Sequence, residues 1–219
     1  GKLAKGIGQN PEELAKFGVE IAHAADGSVD MVRTLENVAT VFTSLKDGDL
    51  DIYTMNIDGT NVKRLTTTPG YDGGPWWSPD GKKIVYRAWH YTDPAELKAY
   101  QDLLGKRMIR PNRMELFVMN ADGSNQTQIT TLGGANFGPS WTPDSKRIIF
   151  SSNHVNPRSR NFDLYLVGLD GTGLERITTN GDFDGFPMFS PDGKSLIWAS
   201  NRHDAKPGET NLFLADWKN

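Results

Sequence analysis

The chain has 219 residues, a net charge of −3 and a hydrophobic fraction of 37%, enough for one substantial core or two small ones. Its mild acidity gives no reason to expect a nucleic-acid partner, and it has no apolar run long enough to span a membrane. The absence of cysteine excludes disulfides and thiolate metal sites.

In chain order, residues 1–20 lack the basic-then-apolar pattern of a secretion leader. Residues 10–26, NPEELAKFGVEIAHAAD, read as a helix. Asn10 is its cap, Pro11 opens the first turn and Glu12 and Glu13 suit the positive dipole end. Leu14, Phe17 and Ile21 form its apolar stripe. DMVRTLENV follows and reads as an outer strand that could pair with the C-terminal NLFLADW, so residues 1–38 form a helical and closure segment.

From residue 39 onward the chain repeats itself. WWSPDGKKIVYRA, SWTPDSKRIIFSS and MFSPDGKSLIWAS align on Pro79, Pro143 and Pro191. DIYTMNIDGTNVKRLTT, ELFVMNADGSNQTQITT and DLYLVGLDGTGLERITT align on Asp58, Asp122 and Asp170. Both elements advance by 64 residues and then by 48, so the longer step holds an insertion. Each unit reads as four strands. One precedes the Pro-Asp turn and one follows it; then a strand of period-two alternation leads through a Asp-Gly hairpin to the fourth. Units of about 40–50 residues with four antiparallel strands are β-propeller blades, each too thin to bury both faces alone. A β-sandwich of similar hairpins is the alternative. The units are 39–68, 72–131, 135–179 and 183–217. The first lacks a Pro-Asp turn and innermost strand, and the fourth lacks an outer strand. Residues 91–113 are the insertion. DPAELKAYQDLL reads as a capped helix with Leu97, Tyr100 and Leu104 on one side, followed by Lys106, Arg107, Arg110 and Arg113. A loop that packs on the neighbouring blade is the plainer expectation; a grip on an anion is the sharper one.

These paired motifs resemble the TolB-type propeller repeat, over about residues 39–217. The resemblance implies an all-β propeller, commonly of six blades, a periplasmic or secreted location and a role as binding surface or substrate gate. Peptidases of the tricorn and prolyl-oligopeptidase types carry related propellers, and certain pectin-fragment lyases bind metal through histidine on a similar scaffold.

Two constellations are candidates for function. Asp72, Asn136 and Asp184 occupy equivalent positions entering each innermost strand and are expected to ring the channel opening, or to cap turns through Asx hydrogen bonds. His90, His154 and His203 follow the second strands and could hold a divalent metal, although His203 is offset by one position; exposed loop histidines are the plainer reading. Trp76, Trp89, Arg113 and Arg160 complete the expected mouth. No nucleophile elbow, His-Glu-x-x-His or phosphate-binding glycine loop is present. The sequence therefore reads as a noncatalytic module binding a protein or peptide, with gating of a hydrolase or a histidine–metal lyase as enzymatic alternatives. No cofactor beyond that metal is called for, and self-association is an outlet for an unclosed ring.

Overall fold

The computed structural model describes residues 39–204, 206 and 208–218. The expected N-terminal helix and closure strand lie outside the described residues. Four antiparallel sheets follow one another along the chain. The first holds β1 (Ala39–Ser44), β2 (Asp51–Asn56) and β3 (Lys63–Arg64). The second holds β4 (Gly70–Trp77), β5 (Lys83–His90), β6 (Glu115–Asn120) and β7 (Thr127–Gln128), with helix α1 (Pro94–Leu104) inserted after β5. The third holds β8 (Asn136–Trp141), β9 (Arg147–Ser152), β10 (Asp163–Gly168) and β11 (Glu175–Arg176). The fourth holds β12 (Asp184–Phe189), β13 (Ser195–Ser200) and β14 (Asn211–Asp216).

Each sheet is a blade, and the core is split into layers between blades. Ile52 and Leu65 of the first blade meet Ile84, Tyr86 and Met119 of the second. Val85, Leu116 and Val118 of the second meet Trp141, Ile148 and Phe150 of the third. Ile149, Leu164 and Leu166 of the third meet Leu196 and Trp198 of the fourth. Because a strand's side chains alternate in direction, one strand feeds two layers: Val85 points one way, Ile84 and Tyr86 the other.

The repeated motifs are turn chemistry. In Ser-Pro-Asp-Gly the Ser78 hydroxyl donates to Asp80 Oδ1 at 2.6 Å and accepts the Lys83 N–H at 2.9 Å. Thr142 with Asp144 and Ser190 with Asp192 repeat the arrangement. In Asp-Gly-Thr, Asp58 Oδ1 accepts both the N–H and the hydroxyl of Thr60; Asp122 and Asp170 do the same. These hydroxyls hold Asp58, Asp122, Asp144 and Asp192 below the usual carboxylate range.

The outermost strands are two residues long, shorter than the Leu-Thr-Thr and Ile-Thr-Thr runs suggest. The reason is a side chain taking over from the ladder. Thr66, Thr130 and Thr178 each accept through Oγ1 the second N–H of the third strand, from Ile52, Leu116 and Leu164 at 2.8–2.9 Å.

Helix α1 starts at Asp93, which accepts the Ala95 N–H, with Pro94 at its first position. Tyr100 and Leu104 are buried and Leu97 packs beside them, as the apolar spacing requires. The Tyr100 hydroxyl donates to Asp49 Oδ1 at 2.6 Å, with the Gly70 carbonyl 3.0 Å from the same oxygen. The insertion is thereby tied to the first blade.

Candidate functional site

Each innermost strand begins against the third strand of the preceding blade. The N–H groups of Asp72, Asn136 and Asp184 donate to the carbonyls of Leu50, Met114 and Phe162. Those carbonyls immediately precede Asp51, Glu115 and Asp163, which open the third strands. Every junction thus brings together two polar side chains, Asp51 with Asp72, Glu115 with Asn136, and Asp163 with Asp184, all buried.

Charge at the junctions is matched blade by blade. Arg64 pairs with Asp51 and Arg176 with Asp163, both at 2.6 Å. Asp72 Oδ1 lies 3.0 Å from His90 Nε2, and Asp184 Oδ2 lies 2.6 Å from Arg202. In the middle junction Asn136 replaces the second acid, and its amide donates to the Met114 carbonyl at 2.7 Å and to Glu115 at 3.2 Å. His154 there contacts Ser152 Oγ at 3.0 Å. Burial, with Arg176 nearby, holds the His154 imidazole below its usual pKa, so it stays neutral beside a neutral amide. Burial raises Asp51, Asp72 and Asp163 above the usual carboxylate range, against the lowering effect of Arg64, His90 and Arg176 respectively.

The sequence places Asp72, Asn136 and Asp184 at the channel opening; the structure buries them between blades. The residue equivalent to His90 and His154 is Arg202, and His203 lies one position further out, exposed and in left-handed backbone (φ 56°). Among the described residues no three His, Asp or Glu side chains stand together as a group that could hold a metal. Trp89 is half-buried beneath Arg113, whose guanidinium carbon lies 5.1 Å from the ring centroid. Arg113 also pairs with Glu96 at 2.7 Å. Arg160 is exposed in the loop after β9.

Trp76 lies at the other end of its strand, four residues on from Asp72 and about 13 Å away at ~3.3 Å per residue. There the inner strands of the second, third and fourth blades and their Pro-Asp turns border an open cavity of about 810 Å³. Trp76, Trp77, Trp141, Met188 and Phe189 form its apolar wall, with Pro79, Pro143 and Pro191 at the turns. Trp76 is 45% exposed and Met188 43% exposed. Trp141 Nε1 donates to the Trp76 carbonyl at 3.0 Å, fixing two blades at the wall.

A bulge in each inner strand shapes the channel side. The register shifts between Gly73 and Trp76, between Phe137 and Ser140, and between Gly185 and Met188. Left-handed residues sit at these bulges: Gly74 (φ 61°), Gly138 (φ 58°) and Phe186 (φ 57°). Two blades use glycine there, as the conformation favours; the fourth uses phenylalanine, whose ring is 56% exposed. Sequence reading missed Met188 and Trp141 as wall residues and Phe186 as the exposed residue of the fourth blade's bulge. The signal available was their alignment with Trp76, Trp77 and Gly74.

No protein-family model matches the chain. Among curated proteins, it is 27% identical over 136 residues to a TolB homologue of Chlorobium chlorochromatii, covering 51% of this chain and 30% of that protein. It is 37% identical over 76 residues to dipeptidyl-peptidase 5 of Porphyromonas gingivalis, covering 35% of this chain and 9% of that protein. The chain spans about a third or less of the length of the curated relatives it matches. Among solved structures, a protein assigned as TolB from Agrobacterium tumefaciens superposes with a TM-score of 0.59 at 25% identity, covering 89% of this chain and 59% of that one. The paired motifs, the four stacked blades and these neighbours identify the fold as a β-propeller of the TolB type.

Proposed function

We propose that the chain is a noncatalytic binding module, periplasmic or secreted, that takes up an apolar or aromatic side chain of a protein or peptide partner in the channel-side cavity. The observation that carries this reading is the exposure of Trp76 and Met188 within a cavity of about 810 Å³ built on rigid inner strands. Large apolar groups left open on a preorganised wall are the usual anchors of peptide recognition, and truncating such a tryptophan typically costs about 2 kcal/mol, roughly thirtyfold in Kd. Asp72 and Asp184 are engaged at the blade junctions, with His90 and Arg202. That leaves binding to the aromatic wall.

Panning a phage-displayed peptide library against the protein tests this. Enriched peptides should carry an aromatic or large aliphatic residue, and Trp76→Ala should weaken them by at least tenfold without moving the urea midpoint. Peptides that bind the Trp76→Ala protein equally well would sink the proposal.

A second reading is favoured by the match to dipeptidyl-peptidase 5: a propeller that screens substrate for a hydrolase unit of a longer protein. Peptidase assays on the native full-length gene product decide it, and no hydrolysis of any dipeptidyl substrate would count against it.

A further inference from the structure

We propose that the loops at the end opposite the cavity form a second docking surface, for an acidic, partly apolar segment of a partner protein. The surface is built from residues 91–113 and from the loop between β9 and β10.

The charge accounting in these loops is one-sided. The insertion has three acids, and all are engaged: Asp93 caps α1, Glu96 pairs with Arg113 at 2.7 Å and Asp102 pairs with Lys98 at 3.0 Å. Lys106, Arg107 and Arg110 remain exposed. None of them forms an ion pair or a side-chain hydrogen bond among the described residues. The loop after β9 contains no acid and adds Arg158 and Arg160, also exposed and unpaired among the described residues. Among the described residues, a chain of net charge −3 therefore gathers at one end five cations with no ion pair.

The two loops are neighbours. Met114, where the insertion ends, donates its N–H to the Gly134 carbonyl at 3.1 Å. A Cβ built on Gly134 would lie 3.4 Å from Pro157 Cβ and 3.4 Å from His154 Cα in the other loop. Both loops are also held in shape. Tyr91 stacks on Tyr100 at 5.1 Å, and Tyr100 is anchored to Asp49. Asn153 Nδ2 donates to the carbonyls of Pro157 and Ser159. A preorganised surface loses less conformational freedom on binding.

Two exposed apolar side chains lie among the cations, Met108 (50% exposed) and Val155 (69%). This combination selects the partner class. The cations give steering and orientation, and the apolar pair gives contacts that exclude water. A nucleic acid is disfavoured: neither loop offers an exposed aromatic face for base stacking.

The test uses fluorescence anisotropy on the full chain with two labelled twelve-residue probes, one alternating Glu and Leu and one alternating Glu and Ser. The Glu/Leu probe should bind at least tenfold more tightly than the Glu/Ser probe. Its affinity should fall at least tenfold between 50 and 300 mM salt. Lys106→Glu/Arg107→Glu/Arg110→Glu and, separately, Arg158→Glu/Arg160→Glu should each weaken it at least tenfold with the urea midpoint unchanged. Trp76→Ala should leave it untouched, so this surface and the channel cavity stand or fall separately. Indifference to both charge reversals would overturn the proposal, as would tighter binding to duplex DNA or phosphatidylglycerol vesicles than to the Glu/Leu probe at equal salt.

Discussion

Replacing Asp72 with asparagine should stabilise the protein at neutral pH and leave it unchanged in acid. Asp72 is fully buried, and while Oδ1 contacts His90, Oδ2 has no hydrogen-bond partner. The equivalent atom of the third blade is the Asn136 amide nitrogen, which donates to the Met114 carbonyl at 2.7 Å. An asparagine amide at position 72 could donate from the place where Oδ2 now has no partner, as the Asn136 amide does in the next blade. An unmet buried acceptor costs about 1–3 kcal/mol. Losing the attraction to His90, which is itself partly exposed, returns some of this, so the net gain at pH 7 is about 1 kcal/mol, or a rise in Tm of about 2–4 °C. The sign with pH follows from burial having raised this carboxyl above its ordinary value of about 3.9. A raised acid penalises the fold above its folded pKa and stops penalising it below its unfolded pKa. The advantage of Asp72→Asn should therefore be greatest at pH 7 and lost as the pH falls to about 3, below the unfolded value. Urea unfolding at both pH values reads it directly. A variant less stable than wild type at pH 7, or a difference that does not change with pH, would refute the reasoning.

The wall and the blade junctions give two further outcomes. Thr130→Val removes the hydroxyl that donates to Glu115 at 2.6 Å and accepts the Leu116 N–H, with both partners buried; unfolding in urea should show a loss of about 2 kcal/mol. Gly193→Ala places a Cβ 2.8 Å from Pro143 Cβ in left-handed backbone (φ 71°), so it should lower stability by about 2 kcal/mol by the same assay.

The blades were legible because their signals are local. Ser78 bonds Asp80 two residues away, and Asp58 bonds Thr60, so each motif encodes its turn without help from the rest of the chain. The helix of the insertion was legible for the same reason, through Asp93, Pro94 and the Leu97–Tyr100–Leu104 spacing. The junctions were harder. Whether Asp72 meets solvent or Asp51 depends on how one blade lies on the next, and the sequence around Asp72 is compatible with either. A signal did exist in the alignment: an acid opens the third strand in three blades, at Asp51, Glu115 and Asp163, and a threonine follows at Thr66, Thr130 and Thr178. Read as pairs, these would have marked the acids as engaged. The offset of His203 was a second signal, since it put Arg202 in register with His90 and His154, where a polar contact at the blade junction covers all three.

Agreement between blades marks the scaffold, and departure from agreement marks what is particular to this chain. The turn acids recur with the same hydroxyl contacts, and the strand-end threonines recur in accepting a third-strand N–H. Trp76, Ser140 and Met188 are equivalent positions with different chemistry, and all three line the cavity. Phe186 is the sharpest departure, since a bulky residue holds a left-handed conformation that costs about 1 kcal/mol where its equivalents are glycine. Its ring lies 5.3 Å from Phe137, a contact worth about 1 kcal/mol. Phe186→Gly should relieve the one and forfeit the other, leaving unfolding in urea within about 1 kcal/mol of wild type. A loss beyond twice that would mean the ring holds the fourth blade to the third, and that the departure serves the fold after all. A near-zero change would leave the exposed ring with no structural reason to occupy a glycine's place, which is the condition expected of a side chain presented to a partner.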